Sequence, residues 1–299
     1  MCIFVEYTLK PMIIRCICPA VLLVNVFLLY GCRKNDKVVT VEEDIPIYVS
    51  VATQDTYKKF NDGDTFGLFV VNETQTLATA GNQYDNELLT FDDGEFVSND
   101  LYYKDGRTKT YFYCYYPYVE TITDIATLPF SVNADQSTSD GYCGSVFIWG
   151  RRTIFKPSEW PVKISMKHLT PILRIELKPG KGWTAEELAE AEVTICGLRL
   201  GGLINLENGS VDAVGDVSEI KANNCGDAFS AFVIPQSVND VELVKIRLGT
   251  DEYSAVTSIE LLSGQRYTCQ VTISKTNGNF NATIGGWETD FNDYGGMVD

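Results

Sequence analysis

Histidine is nearly absent from this 299-residue chain, which has a single one, His168. Any Ser/His/Asp or Cys/His relay would have to run through that one ring, and a zinc site built on several imidazoles is excluded. The GxSxG elbow that presents a nucleophilic serine is also missing. No two cysteines stand in CxxC spacing, so the ligand pattern of a zinc ribbon is lacking. Basic residues are few, 24 Lys and Arg against 40 Asp and Glu, giving a formal net charge of -16. A surface of that sign repels phosphate backbones and argues against nucleic acid as a partner. Helical periodicity is scarce, and no repeat of the length that builds solenoids or propellers is evident. His168 lies in a strand-like pattern and reads as structural, so these absences leave an enzyme without a supporting constellation.

What is present begins with a targeting segment. Arg15 precedes an apolar stretch, Cys16 to Tyr30, broken only by Pro19 and Asn25. A short basic region before a hydrophobic one is the layout of a secretory signal, and this one is too short to span a bilayer. Leu29-Tyr30-Gly31-Cys32 resembles the bacterial lipobox, with Tyr30 in place of the usual small residue. The expectation is cleavage between Gly31 and Cys32 and a lipid on the Cys32 thiol. Each acyl methylene buried in the membrane contributes about 0.8 kcal/mol. Loss of residues 1–31 removes Lys10, Arg15 and Glu6, one net positive charge, and leaves the mature part at -17 against -16 for the whole. Of the nine cysteines, Cys2, Cys16 and Cys18 go with the signal and Cys32 is the anchor. The other five, an odd number, imply no disulfide framework, and Cys114 and Cys269 sit in strand patterns as small apolar residues.

From residue 45 the pattern is β. In IPIYVSV, Ile45, Ile47, Val49 and Val51 share one face; TFGLFVV is apolar throughout, as in a strand buried on both faces. Asp93-Gly94 predicts a hairpin turn within residues 91–96, and Asn208-Gly209 a second turn. Thr184 to Glu187 has capping-box spacing and predicts a short helix ending near Ala191. In YTCQVTI, Tyr267, Cys269, Val271 and Ile273 face inward. Short strands between Gly/Asn/Asp turns predict an all-β fold of antiparallel sandwiches. The expected organisation is a signal over 1–31, a tether over 32–44, and sandwich domains over 45–158 and 159–299.

Two further constellations invite chemistry. Asp135, Ser137 and Ser139 match the DxSxS spacing of a metal-dependent adhesion site, but the surroundings are antiparallel β and the loop reads as solvated, with no metal. Tyr111, Tyr113 and Tyr115 form an alternating aromatic face, which reads as core, with stacking on sugar rings as the alternative.

The order of segments carries a resemblance. After the lipobox come IPIYVSV, GDTFGLFV, YFYCYYPY, QSTSDGYCGSVFIWG, VKISMKHLTPILRIELKPG, GGLINLENGSV, FVIPQ, LLSGQRYTCQVTI and a late GGW. Together they resemble the fimbrillin family of Bacteroidota, in its minor-fimbrium-like branch, over nearly the whole mature chain. The resemblance implies two transthyretin-like β-sandwich domains, export as an outer-membrane lipoprotein and assembly into type V pili. No cofactor is implied beyond the lipid on Cys32. In polymerising members the first strand is removed after an arginine, and the groove is filled by a strand of another subunit, which is β-augmentation. Carried onto this chain, the exchangeable strand holds Ile45, Ile47, Val49 and Val51, and the donor is the tail around Trp287 to Val298. Two departures matter. The only arginine between Cys32 and Arg107 is Arg33, beside the anchor, although Lys58-Lys59 offers another cleavage point. The tail is acidic and Gly-rich, a poor donor. The expectation is therefore an anchor, tip or accessory subunit, or an adhesin that does not polymerise. The alternative is a surface glycan-binding lipoprotein.

Overall fold

The computed structural model describes residues 44–53, 60–276, 279–284 and 288–290. The first half of the chain supplies β1 (Val49–Thr53), β2 (Thr65–Asn72), β3 (Tyr84–Asp92), β4 (Glu95–Val97), β5 (Thr110–Tyr116) and β6 (Leu128–Ser131). Then come α1 (Ser139–Cys143), β7 (Ile148–Ile154), β8 (Val162–His168), β9 (Ile172–Pro179) and α2 (Ala185–Ala189). The remainder is β10 (Glu192–Asn205), β11 (Ser210–Lys221), β12 (Asn223–Asn224), β13 (Phe229–Phe232), β14 (Gln236–Leu248), β15 (Asp251–Leu261), β16 (Arg266–Thr276), β17 (Asn279–Ile284) and β18 (Glu288–Asp290). The fold is all-β, as the alternation predicts.

Three sheets result. A seven-stranded sheet runs β1-β8-β7-β5-β2-β3-β4. A second runs β11-β10-β14-β15, with β6 also on β10; a third runs β12-β13-β9-β16-β17, with β18 also on β16. β2 is buried on both faces because Phe66, Leu68 and Val70 enter one apolar cluster while Phe69 and Val71 enter another. Cys114, Cys196 and Cys269 are buried; Cys143 and Cys225 are exposed.

The turns follow their residues. Asp93 (φ 46°) and Gly94 (φ 85°) form the two-residue connection between β3 and β4. The Thr184 hydroxyl accepts from Glu187 N–H at 3.2 Å, and Glu187 Oε2 accepts from Thr184 N–H at 2.8 Å, the reciprocal cap of α2. At β14, a register shift between Glu242 and Val244 lets adjacent Leu243 and Val244 both be buried, an irregularity that strict alternation does not anticipate.

The chain passes from the seven-stranded sheet to the other sheets after β8. β8 joins the seven-stranded sheet beside β1 and β7, so the changeover falls at residues 169–171. β6, from the first half, pairs with β10 of the second. Alternation tells which face of a strand is apolar, not which sheet takes it. The described residues form one compact unit.

Candidate functional site

Among the described residues, β1 carries a ladder on one side only. It runs parallel to β8, from Val49 opposite Val162 to Thr53 opposite Met166, and the Tyr48 carbonyl accepts from Val162 N–H at 2.7 Å. On its other side, the residues just before it are bridged to residues 101–103. Pro46 pairs with Tyr102, Ile47 N–H donates to the Leu101 carbonyl at 2.8 Å, and Tyr103 N–H donates to the Ile45 carbonyl at 2.9 Å. Tyr102 is pinned in turn. Its N–H donates to the Tyr84 hydroxyl at 2.9 Å and its carbonyl accepts from Gln83 Nε2 at 2.6 Å. The seven-stranded sheet thus curls until its two ends meet at this seam.

Past Ile47 the seam opens. β1 and β4 part around a cavity of about 660 Å³ whose lining includes Tyr48, Val51, Phe96, Val97, Asp100 and Tyr102. Below it Phe60, Phe66, Phe91 and Phe96 pack edge-on or tilted, with contacting ring centroids 5.0 to 5.8 Å apart. Successive residues of a strand turn their N–H and C=O groups to opposite edges. Ile47 faces Leu101 and Tyr48 faces β8, so Val49 and Val51 aim theirs into the opening. Burial pushes the Tyr103 phenol up to about 12 and keeps it neutral at the closed end.

Ile45, Ile47, Val49 and Val51 share one inward face. Ile47 and Val51 are buried and Ile45 and Val49 half-buried against the same apolar cluster. Cys32, Gly31 and Arg33, Lys58-Lys59 and the tail from Trp287 lie outside the described residues, apart from the backbone of β18.

The other candidates are spoken for locally. Asp135 Oδ1 accepts from Ser137 N–H at 3.0 Å and from its hydroxyl at 2.6 Å, which lowers the Asp135 pKa; Ser139 opens α1. Asp135, Ser137 and Ser139 therefore shape a turn that leads into a helix cap at Thr138. Tyr115 is buried and stacks on Phe147, and Tyr111 and Tyr113 pack half-buried against the same cluster. The aromatic alternation thus serves the core. His168 is buried with its ring stacked 5.9 Å from that of Phe232.

What sequence reasoning missed is the closing segment. Leu101-Tyr102-Tyr103 is too short to read as a strand and shows no alternation in sequence, yet it bridges residues 45–47 just ahead of β1.

The described residues thus define an all-β protein with an edge strand beside an opening. The chain belongs to the fimbrillin-like family, whose model matches residues 51–287. A candidate fimbrium subunit of Bacteroides uniformis, Fim1C, is 24% identical over 246 residues, spanning 77% of this chain and 79% of that one. In structure the chain is similar to a candidate cell adhesion protein of Bacteroides ovatus, with a TM-score of 0.64 at 20% identity over 83% of this chain and 97% of that one. A candidate cell adhesion protein of Bacteroides uniformis gives a TM-score of 0.64 at 18% identity over 83% and 98%. These two likenesses speak for the fold.

Proposed function

We propose that this protein is a lipid-anchored fimbrial subunit of the outer membrane, serving as an anchor, tip or accessory component and meeting other subunits through the β1 seam. Its role is structural or adhesive, without catalysis. The proposal includes a pair of transthyretin-like sandwiches, one on either side of the changeover at residues 169–171, tethered by acylated Cys32. The observation that carries it is the attachment of β1. One parallel ladder and a short bridge hold a strand whose Ile47 and Val51 fill the core. Burying side chains of this size contributes about 1.5–3 kcal/mol each, so β1 leaves only if another strand replaces it. No arginine lies between β1 and β2, where cleavage would release β1, and this supports a subunit that keeps the strand.

The test is made in the native bacterium. Labelled palmitate enters the wild-type protein and not Cys32→Ala, and antibody marks the cell surface or sheared fimbriae. A Cys32→Ala protein that still labels, or a wild-type protein found only in the cytoplasm, defeats the reading. Glycan binding lost on Tyr113→Ala would favour the carbohydrate alternative, but the half-burial of Tyr113 against the core speaks against it.

A further inference from the structure

We infer that the open half of the β1 seam is a docking slot for an extended, lysine- or arginine-bearing segment of a different polypeptide, taken up with β1 still in place. The inference rests on the strand-addition reading above but not on the lipid or on polymerisation. Three observations converge. The first is the backbone. Among the described residues β1 and β4 each have a ladder on one side only, and both line the cavity. Val49 and Val51 turn their N–H and C=O groups into it. A strand laid there would continue the pairing that Pro46 and Tyr102 make at the closed end.

The second is the apolar surface. Of the described residues, Tyr48 (56% exposed), Val97 (55%) and Tyr102 (39%) all line this one cavity, and Trp160 (80%) adjoins Pro161, which also lines it. Aromatic residues grouped at the surface beside a cavity mark an interface, whereas single exposed apolar residues do not.

The third is the chemistry of the two faces. The floor is apolar, formed by Ile47, Val51 and the half-buried Phe91 and Phe96. The rim carries exposed Glu95 and Asp100 beside the two tyrosine rings. A strand in the slot would alternate accordingly, apolar side chains down into the floor and cationic ones up. There a lysine or arginine meets a carboxylate and the face of a tyrosine, both of which attract a cation. The chain's own tail, acidic and Gly-rich, has the wrong sign for this rim. The partner is therefore not a second copy's tail but another protein's neutral-to-basic strand.

The experiment uses the mature chain and two soluble eight-residue probes, one alternating valine with lysine and one alternating valine with glutamate. The lysine probe should bind, and hydrogen exchange should slow at the Val49 and Val51 amides while Ser50, already in the β8 ladder, stays unchanged. Val51→Pro removes one donor that aims into the slot and should weaken binding about three- to tenfold, the worth of one backbone hydrogen bond. The double variant Glu95→Lys, Asp100→Lys alters only exposed residues and should reverse the preference toward the glutamate probe. Equal binding of both probes, a preference untouched by the charge reversal, or protection away from Val49 and Val51 would overturn the inference. So would binding on a glycan array that Tyr48→Ala abolishes. Because palmitate labelling at Cys32 is read separately, failure here leaves the anchoring result intact.

Discussion

Gln136, fully buried, exchanges two hydrogen bonds with the backbone of Phe232. Its Nε2 donates to the Phe232 carbonyl at 2.7 Å, and its Oε1 accepts from Phe232 N–H at 2.8 Å. β12 is only two residues long and pairs with Ser230 and Phe229, so the Gln136 amide stands in for the ladder partner that Phe232 would otherwise lack. Gln136→Ala leaves both backbone groups buried without that partner, and each such group costs about 1–3 kcal/mol. The expected loss is about 2–4 kcal/mol, read from the urea midpoint with an unchanged m-value. A loss below about 0.5 kcal/mol would show that water or another group replaces the amide.

Gly209 lies under Trp149. Its φ is +71°, and a Cβ there would sit 2.5 Å from Trp149 Cε3, while the indole N–H donates to the Leu206 carbonyl at 2.8 Å. Gly209→Ala is expected to destabilise by about 1–3 kcal/mol, from strain at positive φ together with displacement of the ring. The Trp149 emission should shift as well. Unchanged stability and emission would mean the turn relaxes freely.

These two sites show what was legible. Asn208-Gly209 announced its turn, because positive φ selects Gly and Asn. That the turn presses on an indole some 60 positions earlier was not readable, since the contact exists only after the sheets stack. Gln136 was hidden by composition. It sits in a run of Asn, Asp, Ser and Thr that reads as solvated loop, and the loop around it is indeed largely exposed. The β1 face was legible from Ile45, Ile47, Val49 and Val51, whose period of two fixed which side enters the core. Its parallel partner β8 was not, because VKISMKH fits an edge of either sheet equally well, and the expected boundary fell before it.

Asp105 ties the loop that follows the seam. Its carboxylate accepts from the Thr108 hydroxyl at 2.6 Å and from the N–H groups of Thr108 and Arg107, which lowers its pKa from 3.8 to about 2. A depressed folded pKa contributes stability above the unfolded value and loses it as pH falls through the folded one. Stability should therefore decline between about pH 4 and pH 2, and Asp105→Asn should flatten that part of the profile. An identical slope in the variant would assign the acid sensitivity to other carboxylates.

Ile47 fixes β1 at the closed end of the seam, buried on its side chain and bonded through its N–H to Leu101. Ile47→Ala removes buried methyl and methylene groups and is expected to cost about 2–4 kcal/mol. The more specific sign is local: the Ser50 amide should exchange faster relative to amides of β2, because β1 detaches before the sheet unfolds. Equal acceleration in both strands would mean β1 is no more separable than the rest.

Mass spectrometry of the protein extracted from the membranes of its native host tests the central claim most directly, because one spectrum reads the anchor and the strand together. The account predicts a chain beginning at an acylated Cys32 with the β1 peptide, Val49–Thr53, still attached. A mature chain that begins after β1, or one whose Cys32 is present and unmodified, would contradict it.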